Sequence, residues 1–548
     1  MRNWHKFPPP TRPVVMGANG MVSSGSMLAS QAGMEVLSEG GNAFDAAVAV
    51  AATLGVAETY MSGIGGTGSA VMYVAKERRV RTLNFGGRVP FGLQVEGLKL
   101  DALDLGAMAP LVPGNVAGWL MLHEKYGTKD RERLFRPAID YAGNGFPFTY
   151  ANNYRTDYFA WRLRPFPTSA AILLTNNGRA PRPGAKVVMP QLAASLTKIA
   201  RQGREVFYNG ELADRIVKHT QRAGGVLSYE DLSTYRPEWA DPVSTQYRGH
   251  QVFSTAPELC GFQVLEALKI MEGYGPEALR HGDADSLHIQ VEACKLAVAD
   301  RIKYAGEASR AMVPVAGLLS EAYAAKQRAR IDMEKAAAVE GESYARPRPA
   351  GAISGGSPEE HSGGHTTHFV VADRDGNVVS ITQSLGHYFG CGLAVGDTGI
   401  FLNNMSMVFD VDPSAPNAIR PGGRGASPYS ATITLKGGKF YAAIGTPGGW
   451  GITHTTAQMV MNVLDYGMNI QQAIEAPLFR LFSGRNVHME ERVPLNVRRD
   501  LEMRGHEITI MEPWPYRVGG GHCLLLDPES GIYHGGADPR RDGWAVGV

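Results

Sequence analysis

Cysteine is scarce in this chain of 548 residues, and the few that it has lie far apart. None belongs to a C-x-x-C pair. This spacing argues against a disulfide-stabilised scaffold and against a metal site built from thiolates. It is compatible with a reducing compartment. The four cysteines are Cys260, Cys294, Cys391 and Cys523.

The chain also lacks an excess of charge of either sign, because 54 Lys and Arg residues stand against 53 Asp and Glu residues. No summed field would draw it to nucleic acid or to an anionic membrane. We therefore expect a small-molecule partner, uncharged or recognised locally, and no nucleic-acid or membrane partner.

Long apolar runs are missing as well. Residues 1–13 contain basic residues and prolines but no apolar core of a secretory signal. No later stretch reaches the ~18 consecutive apolar residues of a transmembrane helix. The sequence therefore predicts a soluble, cytoplasmic protein.

Apolar residues are nevertheless abundant, at 44% of the chain, which is enough to bury a large core. Near the N-terminus, patterns ending at Gly40-Gly41 predict a helix over residues 23–39 and a second, buried helix over 43–58. Residues 345–364 are dominated by Pro, Gly and Ser. We predict that this segment is flexible and exposed.

Alternating β-branched residues characterise the C-terminal third. Helical patterns at residues 455–466 and 470–476 lie between the hairpin patterns, so this third mixes antiparallel strands with helices. The α+β class in a layered sandwich is the predicted architecture. The predicted hairpins pair residues 367–372 with 378–382, 431–435 with 440–444, and 523–526 with 532–533.

A glycine motif, Gly63-x-Gly65-x-x-Gly68, matches the dinucleotide-binding pattern in its letters. That motif must follow a strand and open a helix, whereas here a helix precedes it and a strand follows. We interpret it as a glycine turn. The P-loop and G-x-S-x-G patterns are absent from the sequence, and no cofactor is predicted.

Three histidines, His361, His365 and His368, raise the question of a metal site. No acidic or cysteine ligand shares their spacing, and catalytic zinc normally takes three well-placed protein ligands. We therefore predict no metal site.

The most informative segment is Gly364-His-Thr-Thr-His-Phe369, which follows the flexible segment and begins a hairpin. A threonine hydroxyl is a weak nucleophile unless a base lies beside it. Cleavage before Thr366 would free its own α-amino group, which titrates at about 7.7–8.0 and can serve as that base. The alternative is that Thr366 and Thr367 merely begin an edge strand, where β-branched residues are common.

The order of several motifs resembles the γ-glutamyltranspeptidase family of N-terminal-nucleophile hydrolases over nearly the whole chain. Thr366-Thr-His368 is similar to the family's processing and catalytic site, and Pro447-Gly-Gly449 to its oxyanion loop. The other motifs that carry the resemblance are Gly40-Gly-Asn-Ala-Phe-Asp-Ala-Ala47, Ser62-Gly-Ile-Gly-Gly66, Val112-Pro-Gly-Asn-Val-Ala-Gly118, Gly399-Ile-Phe-Leu-Asn-Asn404 and Ala537-Asp-Pro-Arg-Arg-Asp-Gly543.

The resemblance implies that the chain cuts itself between His365 and Thr366. Segments 1–365 and 366–548 would then stay intertwined in one αββα four-layer sandwich, with residues 345–365 as the flexible stretch before the cut. Thr366 would attack an amide carbonyl, and the backbone N–H groups of Gly448 and Gly449 would stabilise the oxyanion. Ser384 stands where the family has a threonine that hydrogen-bonds the nucleophile during processing.

Departures from the family pattern cluster where it binds the glutamyl α-carboxylate and α-amino groups. Gly86 replaces the carboxylate-binding arginine, and Arg88 follows two residues later. One of the family's paired serines survives as Ser427. An unpaired charge in such a site is strongly penalised, so a free γ-glutamyl group is an unfavourable substrate. The remaining departures fall at Gly386, Met405, Val408 and Pro428, and Met405, Val408, Tyr388 and Phe389 would make the site more apolar.

We therefore predict an autoprocessing amidohydrolase that acts on a small amide and favours hydrolysis over transfer. Relatives of the expected kind are oxamate amidohydrolases and cephalosporin acylases. One alternative is a true γ-glutamyltransferase or glutathione hydrolase in which Arg88 rebuilds the carboxylate site. Another is a processed but inactive binding or assembly subunit. A homodimer of the two-segment unit is left open.

Overall fold

The computed structural model describes residues 7–307, 312–338, 365–482 and 484–548. Its centre is a pair of stacked β-sheets, each with seven strands among these residues, and helices pack on the outer face of each sheet. The predicted α+β class and the αββα four-layer sandwich are thus confirmed. The segment predicted to be flexible, residues 345–364, lies outside the described residues.

The strands are numbered in chain order. They are β1 (Val15–Gly17), β2 (Gly20–Ser24), β3 (Thr67–Val74), β4 (Arg79–Phe85), β5 (Phe146–Pro147), β6 (Lys186–Val187), β7 (Glu238–Ala240), β8 (Val243–Tyr247), β9 (His250–Ser254), β10 (His365–Asp373), β11 (Val378–Gly386), β12 (Ala394–Val395), β13 (Ile400–Phe401), β14 (Thr432–Lys436), β15 (Lys439–Ile444), β16 (Phe479–Leu481), β17 (Asn486–Glu490), β18 (Glu507–Met511), β19 (His522–Leu526), β20 (Tyr533–Ala537) and β21 (Trp544–Gly547).

The α-helices are numbered in the same way. They are α1 (Met27–Ser38), α2 (Ala43–Ala57), α3 (Asn115–Tyr126), α4 (Arg131–Asn144), α5 (Tyr150–Tyr158), α6 (Ala160–Leu163), α7 (Pro167–Leu173), α8 (Pro190–Gln202), α9 (Arg204–Tyr208), α10 (Glu211–Arg222), α11 (Tyr229–Thr234), α12 (Gly261–Glu272), α13 (Ala284–Tyr304), α14 (Val315–Leu318), α15 (Glu321–Arg328), α16 (Gly451–Leu464), α17 (Ile470–Glu475) and α18 (Leu495–Met503).

Both large sheets combine strands that are distant in the sequence. The first sheet has the order β1-β20-β19-β15-β14-β9-β8, and the second has the order β21-β2-β10-β11-β3-β4-β7. Strand β10 therefore lies inside the second sheet, between β2 and β11. Each sheet contains strands from before and after residue 365.

Three apolar layers hold the sandwich together. The middle layer packs side chains of one sheet against the other, including Val370 and Val378 from the second sheet and Ile433 and Leu524 from the first. One outer layer buries α1, α2 and α3 against the second sheet, and the other buries α12, α13 and α16 against the first. Burial of this apolar surface is the main force that stacks the four layers.

Helix α2 has the local signals that its sequence predicts. The side chain of Asn42 accepts hydrogen bonds from the backbone of Phe44 and Asp45, and Asp45 accepts from the backbone of Asn42, which makes a capping box. All fifteen residues of α2 are buried. The prediction of a buried helix over residues 43–58 is confirmed.

The helix predicted over residues 23–39 begins later than expected. Residues 20–24 form strand β2, and α1 starts only at Met27. Ser23 and Ser24 pair with β10, and the Ser23 hydroxyl donates to the carbonyl of Gly536 at 2.6 Å. Pairing in the sheet thus overrides the local helical pattern, which is a tertiary effect that the segment alone does not encode.

The three predicted hairpins are confirmed. Strand β10 pairs with β11, β14 with β15, and β19 with β20, all antiparallel. The helical patterns between them correspond to α16 and α17. The turn between β10 and β11 is fixed by Asp373, whose carboxylate accepts from the backbone of Asp375 and Asn377 at 2.9 Å each.

Candidate active site

Thr366 is the second residue of β10 and is 3% exposed. Side chains alternate between the two faces of a strand, so Thr366 shares a face with His368 and Val370. Val370 belongs to the apolar layer between the sheets, whereas Val371 belongs to the layer that contains α2. The side chain of Thr366 therefore faces the space between the two sheets.

The Thr366 hydroxyl begins a hydrogen-bonded series that runs through Ser384 to the carbonyl of His365. This hydroxyl donates to the Oγ atom of Ser384 at 3.2 Å, and the Ser384 hydroxyl donates to the carbonyl oxygen of His365 at 2.7 Å. The backbone N–H of Gly386 also donates to Ser384 Oγ, at 2.8 Å. Ser384 thus links the Thr366 hydroxyl to the carbonyl of the preceding peptide bond and polarises that carbonyl.

The carbonyl oxygen of Thr366 faces a buried arginine. Arg541 Nη1 lies 3.4 Å from this oxygen, and Arg541 Nε donates to the carbonyl of Gly519 at 2.9 Å. A side chain at Gly520 would collide with both Arg541 and Pro447. Arg541 therefore connects β10 to the Gly519–Gly520 segment, which packs against Pro447.

This loop carries the two predicted oxyanion donors. Gly448 and Gly449 have φ values of +140° and +59°, which side-chain-bearing residues rarely adopt. They follow β15 and come directly before α16, whose N-terminal end carries partial positive charge. Earlier in the same loop, Gly445 packs so closely on the His368 ring that a side chain there would overlap it. The sequence-predicted loop is thus brought to the face of β10 that carries Thr366.

His365, on the other side of the predicted cleavage bond, is enclosed by aromatic rings. Its ring stacks on Tyr388 with centroids 3.5 Å apart, and Phe159 and His387 lie 5.9 and 5.6 Å away. Burial, followed by the nearby His387 and Arg541, holds the pKa of His365 well below its ordinary value. Its imidazole is therefore neutral, and Tyr388 serves as its stacking partner.

The opposite face of β10 contains a carboxylate that sequence reasoning missed. The Thr367 hydroxyl donates to Glu58 Oε2 at 2.6 Å. Burial raises the pKa of Glu58, while the hydrogen bond from Thr367 and the charge of Arg541 oppose that rise. The only available signal was the position of Glu58 at the end of α2, which does not by itself indicate proximity to residue 367.

The predicted substrate-binding residues Met405 and Ser427 lie near each other. Met405 is buried in an apolar cluster with Tyr429 and Leu259, and its sulfur is 3.8 Å from the Tyr429 hydroxyl. Ser427 is buried two residues before Tyr429, and its backbone carbonyl accepts from Cys260. Val408 packs at the edge of the same cluster, whereas Tyr388 and Phe389, the other two residues predicted to make the site apolar, belong to the layer that contains α2.

Arg88 has its hydrogen-bond partners on α11. Its guanidinium donates to the carbonyl of Asp231 at 3.1 Å and to the Thr234 hydroxyl at 2.7 Å, both on α11. It also lies 4.4 Å above the Phe91 ring. The structure therefore brings together Thr366, Ser384, His365 and Tyr388, but it gives Arg88 partners elsewhere.

Of the three histidines considered for a metal site, His361 lies outside the described residues. The other two have separate partners, because His365 stacks on Tyr388 whereas His368 Nδ1 lies 2.9 Å from the Thr382 hydroxyl. With these contacts, the two imidazole rings do not meet at a position where both could bind one metal ion.

A different histidine pair meets a carboxylate under the outer helices. Ligand atoms of His288, Glu292 and His506 lie within 4.8 Å of one another. The ammonium group of Lys295 donates to Glu292 at 2.8 Å and lies 3.4 Å from His506 Nδ1. A buried cation already neutralises this carboxylate, so the cluster is satisfied by the protein's own groups.

Among the described parts of the chain, none of the helices combines the length and the apolar composition that crossing a bilayer requires.

Comparison with known proteins places these observations in a family. Residues 29–548 match the family model for gamma-glutamyltranspeptidase. The chain is 36% identical to the glutathione hydrolase-like YwrD proenzyme of Bacillus subtilis (strain 168), over 97% of this chain and 99% of that one. It is 35% identical to the acylase ACY 1 proenzyme of Pseudomonas sp. (strain SE83), over 97% and 94% of the two chains.

A solved structure agrees with this assignment. The cephalosporin acylase from Bacillus halodurans superposes with a TM-score of 0.88 at 34% identity, over 100% of this chain and 99% of that chain. The family match covers nearly the whole chain, including β10, the glycine loop and the C-terminal strands. The chain therefore belongs to the γ-glutamyltranspeptidase family and is an amide hydrolase of that family.

Proposed function

We propose that this chain is a precursor that cuts its own bond between His365 and Thr366 and then uses Thr366 as the nucleophile in the hydrolysis of a small amide. The observation that carries this proposal is the hydrogen-bonded series from the Thr366 hydroxyl through Ser384 to the His365 carbonyl. It links the attacking oxygen to the carbonyl that would be attacked.

In the processing step, Thr366 Oγ1 attacks the carbonyl carbon of His365. The Ser384 hydroxyl stabilises the negative charge that forms on the carbonyl oxygen. The C–N bond breaks, the Thr366 nitrogen takes up the hydroxyl proton, and an ester joins His365 to Thr366 Oγ1. Water hydrolyses this ester to a His365 carboxylate and a free Thr366 with its own amino group.

In the catalytic step, the neutral α-amino group of Thr366 accepts the proton from its own hydroxyl as Oγ1 attacks the substrate amide. The backbone N–H groups of Gly448 and Gly449 stabilise the oxyanion, a contribution of roughly 3–4 kcal/mol for one such donor. The protonated amine returns its proton to the leaving amine. Water then releases the acyl group as a carboxylic acid, which restores Thr366.

The two segments are expected to remain one unit after the cut. Strand β10 pairs with β2 and β11 in the second sheet, and β14 pairs with β9 in the first. Separation of segments 1–365 and 366–548 would break both sheets and expose the apolar layer between them. The cytoplasmic location and a homodimer remain predictions.

The acyl group is proposed to differ from a standard γ-glutamyl group, and water rather than an amine is the proposed acceptor. The apolar cluster that contains Met405 and Tyr429 supports this choice, since apolar side chains do not pair with a glutamyl α-carboxylate. The hydrogen bonds from Arg88 to Asp231 and Thr234 of α11 support it as well, since they already satisfy the Arg88 guanidinium.

Glutathione hydrolysis is the second candidate, because the name of the YwrD relative is glutathione hydrolase-like. The two candidates differ in one assay. Turnover of a γ-glutamyl anilide at rates equal to or above those of neutral acyl anilides would favour glutathione hydrolysis. Our proposal predicts that the γ-glutamyl anilide is the poorer substrate.

The proposal is tested by covalent trapping on the processed protein. We expect anilide hydrolysis and, on rapid quenching, an acyl adduct on segment 366–548 that maps to Thr366. The Thr367→Ser variant is a matched control because it retains a hydroxyl group on the neighbouring residue, and its adduct should still map to position 366. Hydrolysis with an adduct on another residue would contradict the proposed nucleophile.

A further inference from the structure

A row of residues crosses the second sheet from Thr366. Thr366 lies opposite Ser384, and Ser384 lies opposite Thr67 on β3. The register of β3 and β4 continues this row at Gly86, the residue after the end of β4. Cross-strand neighbours share one face of a sheet, so the row extends roughly 14 Å from the nucleophile at ~4.8 Å per strand.

The middle of this row is covered by an aromatic residue from the loop before β14. The Tyr429 hydroxyl lies 2.9 Å from Thr67 Oγ1, and its ring belongs to the apolar cluster that contains Met405 and Leu259. An extended acyl chain that starts at Thr366 and follows the row would therefore meet the hydroxyl groups of Ser384, Thr67 and Tyr429, with the apolar side chains of this cluster beside them.

The far end of the row is different, because a carboxylate lies there. Asn84 joins it to Gly86: the Asn84 side-chain oxygen accepts from the Gly86 N–H at 2.9 Å, and its amide donates to Glu258 Oε2 at 2.9 Å. A Cβ atom at Gly86 would lie 4.0 Å from Leu259, the residue after Glu258. Glu258 is partly buried.

The charges around Glu258 are mainly negative. Burial raises the pKa of Glu258, and the carboxylates of Glu238 and Glu307 raise it further, whereas Arg424 lowers it. Arg424 is itself paired with Glu238 at 3.2 Å. The carboxylates of Glu258, Glu238 and Glu307 thus lie around Arg424, while Arg88, which is near enough to Arg424 to be repelled by its charge, donates to Thr234 of α11. A second carboxylate brought to this place would be repelled.

We propose that Glu258 forms the distal end of the acyl-binding subsite. There it selects acyl groups that end in a hydrogen-bond donor, such as an ammonium or a primary amide, over acyl groups that end in a carboxylate. This inference rests on the proposed function, because it requires an acyl group bound at Thr366. A five-carbon acyl group with a terminal amine is roughly 7 Å long when extended, which with the threonine side chain and one hydrogen bond covers most of the row.

The test uses three p-nitroanilides with the same five-carbon acyl chain: pentanoyl, 5-aminopentanoyl and glutaryl. The processed parent enzyme should have its highest kcat/KM with the 5-aminopentanoyl anilide and its lowest with the glutaryl anilide. In Glu258→Gln the ratio of these two values should fall roughly 10- to 100-fold, as expected for loss of a charge-assisted hydrogen bond. The pentanoyl value should stay within about 2-fold, since it has no group to pair with Glu258.

Glu238→Gln is the matched control, because it removes an equal charge from the same neighbourhood without altering the end of the row. It should lower the ratio by much less than Glu258→Gln does, since Glu238 pairs with Arg424 rather than with the acyl group. Two results would overturn this inference and leave the proposed function standing. In one, Glu258→Gln hydrolyses the pentanoyl anilide but keeps the parent's ratio of 5-aminopentanoyl to glutaryl kcat/KM. In the other, the parent prefers the glutaryl anilide. No turnover of any of the three by processed enzyme would contradict the proposed function itself.

Discussion

Thr366 and Thr367 are adjacent and chemically identical, yet the two faces of β10 give their hydroxyl groups different surroundings. The Thr366 hydroxyl donates to a second hydroxyl, Ser384, which itself contacts a peptide carbonyl. The Thr367 hydroxyl donates to the buried carboxylate of Glu58 on the helical side of the sheet. Strand alternation alone separates the two.

This contrast shows what a nucleophile needs beyond its side chain. Thr367 has a carboxylate base, Glu58, beside it, but its hydroxyl is hydrogen-bonded to that carboxylate and to no peptide carbonyl that would be cleaved. Thr366 has no charged base in the uncut chain, and cleavage would supply one as its own amino group. We therefore propose a chemical role for the Thr366 face and a packing role for the Thr367 face.

The largest effect is expected at the hydroxyl that faces the other sheet. Thr366→Ala should reduce anilide hydrolysis by 10³-fold or more, because it removes the nucleophile. Thr366→Ser should keep measurable activity, since it preserves the hydroxyl. Steady-state turnover of both variants, compared with Thr367→Ser, checks this prediction. Equal losses at positions 366 and 367 would remove the distinction between the two faces.

Substitution of Ser384 should slow processing, by a smaller factor than substitution of Thr366 by Ala reduces hydrolysis. Ser384→Ala removes the link between the Thr366 hydroxyl and the His365 carbonyl, and we expect cleavage to slow by roughly 10²-fold. The half-time for appearance of segment 366–548 is the measurement. Ser384→Thr restores a hydroxyl and should restore most of the rate. Normal cleavage in Ser384→Ala would show that the hydrogen-bonded series is not used.

On the opposite face, Thr367→Val should change stability rather than chemistry. It removes the shorter of two hydroxyl donors to the buried carboxylate of Glu58 and leaves the one from Tyr60, at a cost of about 1–3 kcal/mol in the free energy of unfolding. Denaturant titration measures this loss. Combination with Glu58→Gln should recover part of it, because the unpaired charge is then gone. A fully additive double variant would mean that the pair does not interact.

Glu58 also predicts a pH dependence. Its pKa is raised by burial above the ordinary value of 4.5, so ionisation is harder in the folded chain than in the unfolded one. The resulting penalty is absent below pH 4.5 and grows as the pH rises through the folded pKa. Glu58→Gln should therefore gain stability relative to the parent as the pH increases over this window. A parallel pH profile for the two proteins would contradict the raised pKa.

The smallest effect is expected at Arg88. Its guanidinium already donates to the Asp231 carbonyl and the Thr234 hydroxyl. Arg88→Ala should change kcat/KM for neutral acyl anilides and for the γ-glutamyl anilide by less than about 2-fold. A selective loss with the γ-glutamyl anilide would instead make Arg88 a carboxylate-binding residue.

Much of this arrangement could be predicted from the sequence because it depends on local signals. Strand alternation and turn residues identify the β10–β11 hairpin, and the hairpin register then brings Ser384 opposite Thr366. The glycines at 448 and 449 mark a loop that only flexible backbone can form. The motif order adds the layered fold, which the structure confirms.

The parts that could not be predicted depend on long-range packing. Glu58 reaches Thr367 because α2 packs on the face of β10 that carries Thr367. Glu258 lies between β9 and α12, and it reaches Asn84 of β4 because the sheet of β9 is stacked on the sheet of β4. Neither contact leaves a local pattern. The misplaced start of α1 has the same origin, since Ser23 and Ser24 are extended only through their pairing with β10.

The central claim, that Thr366 is freed by cleavage of its own N-terminal bond, is tested most directly by intact mass and N-terminal sequencing of the purified protein beside Thr366→Ala, followed over time. The account predicts two fragments in the parent, one of which begins with Thr366, and a single uncut chain in the variant. A parent that stays uncut on long incubation, or a variant that is cut at the same bond, would contradict it.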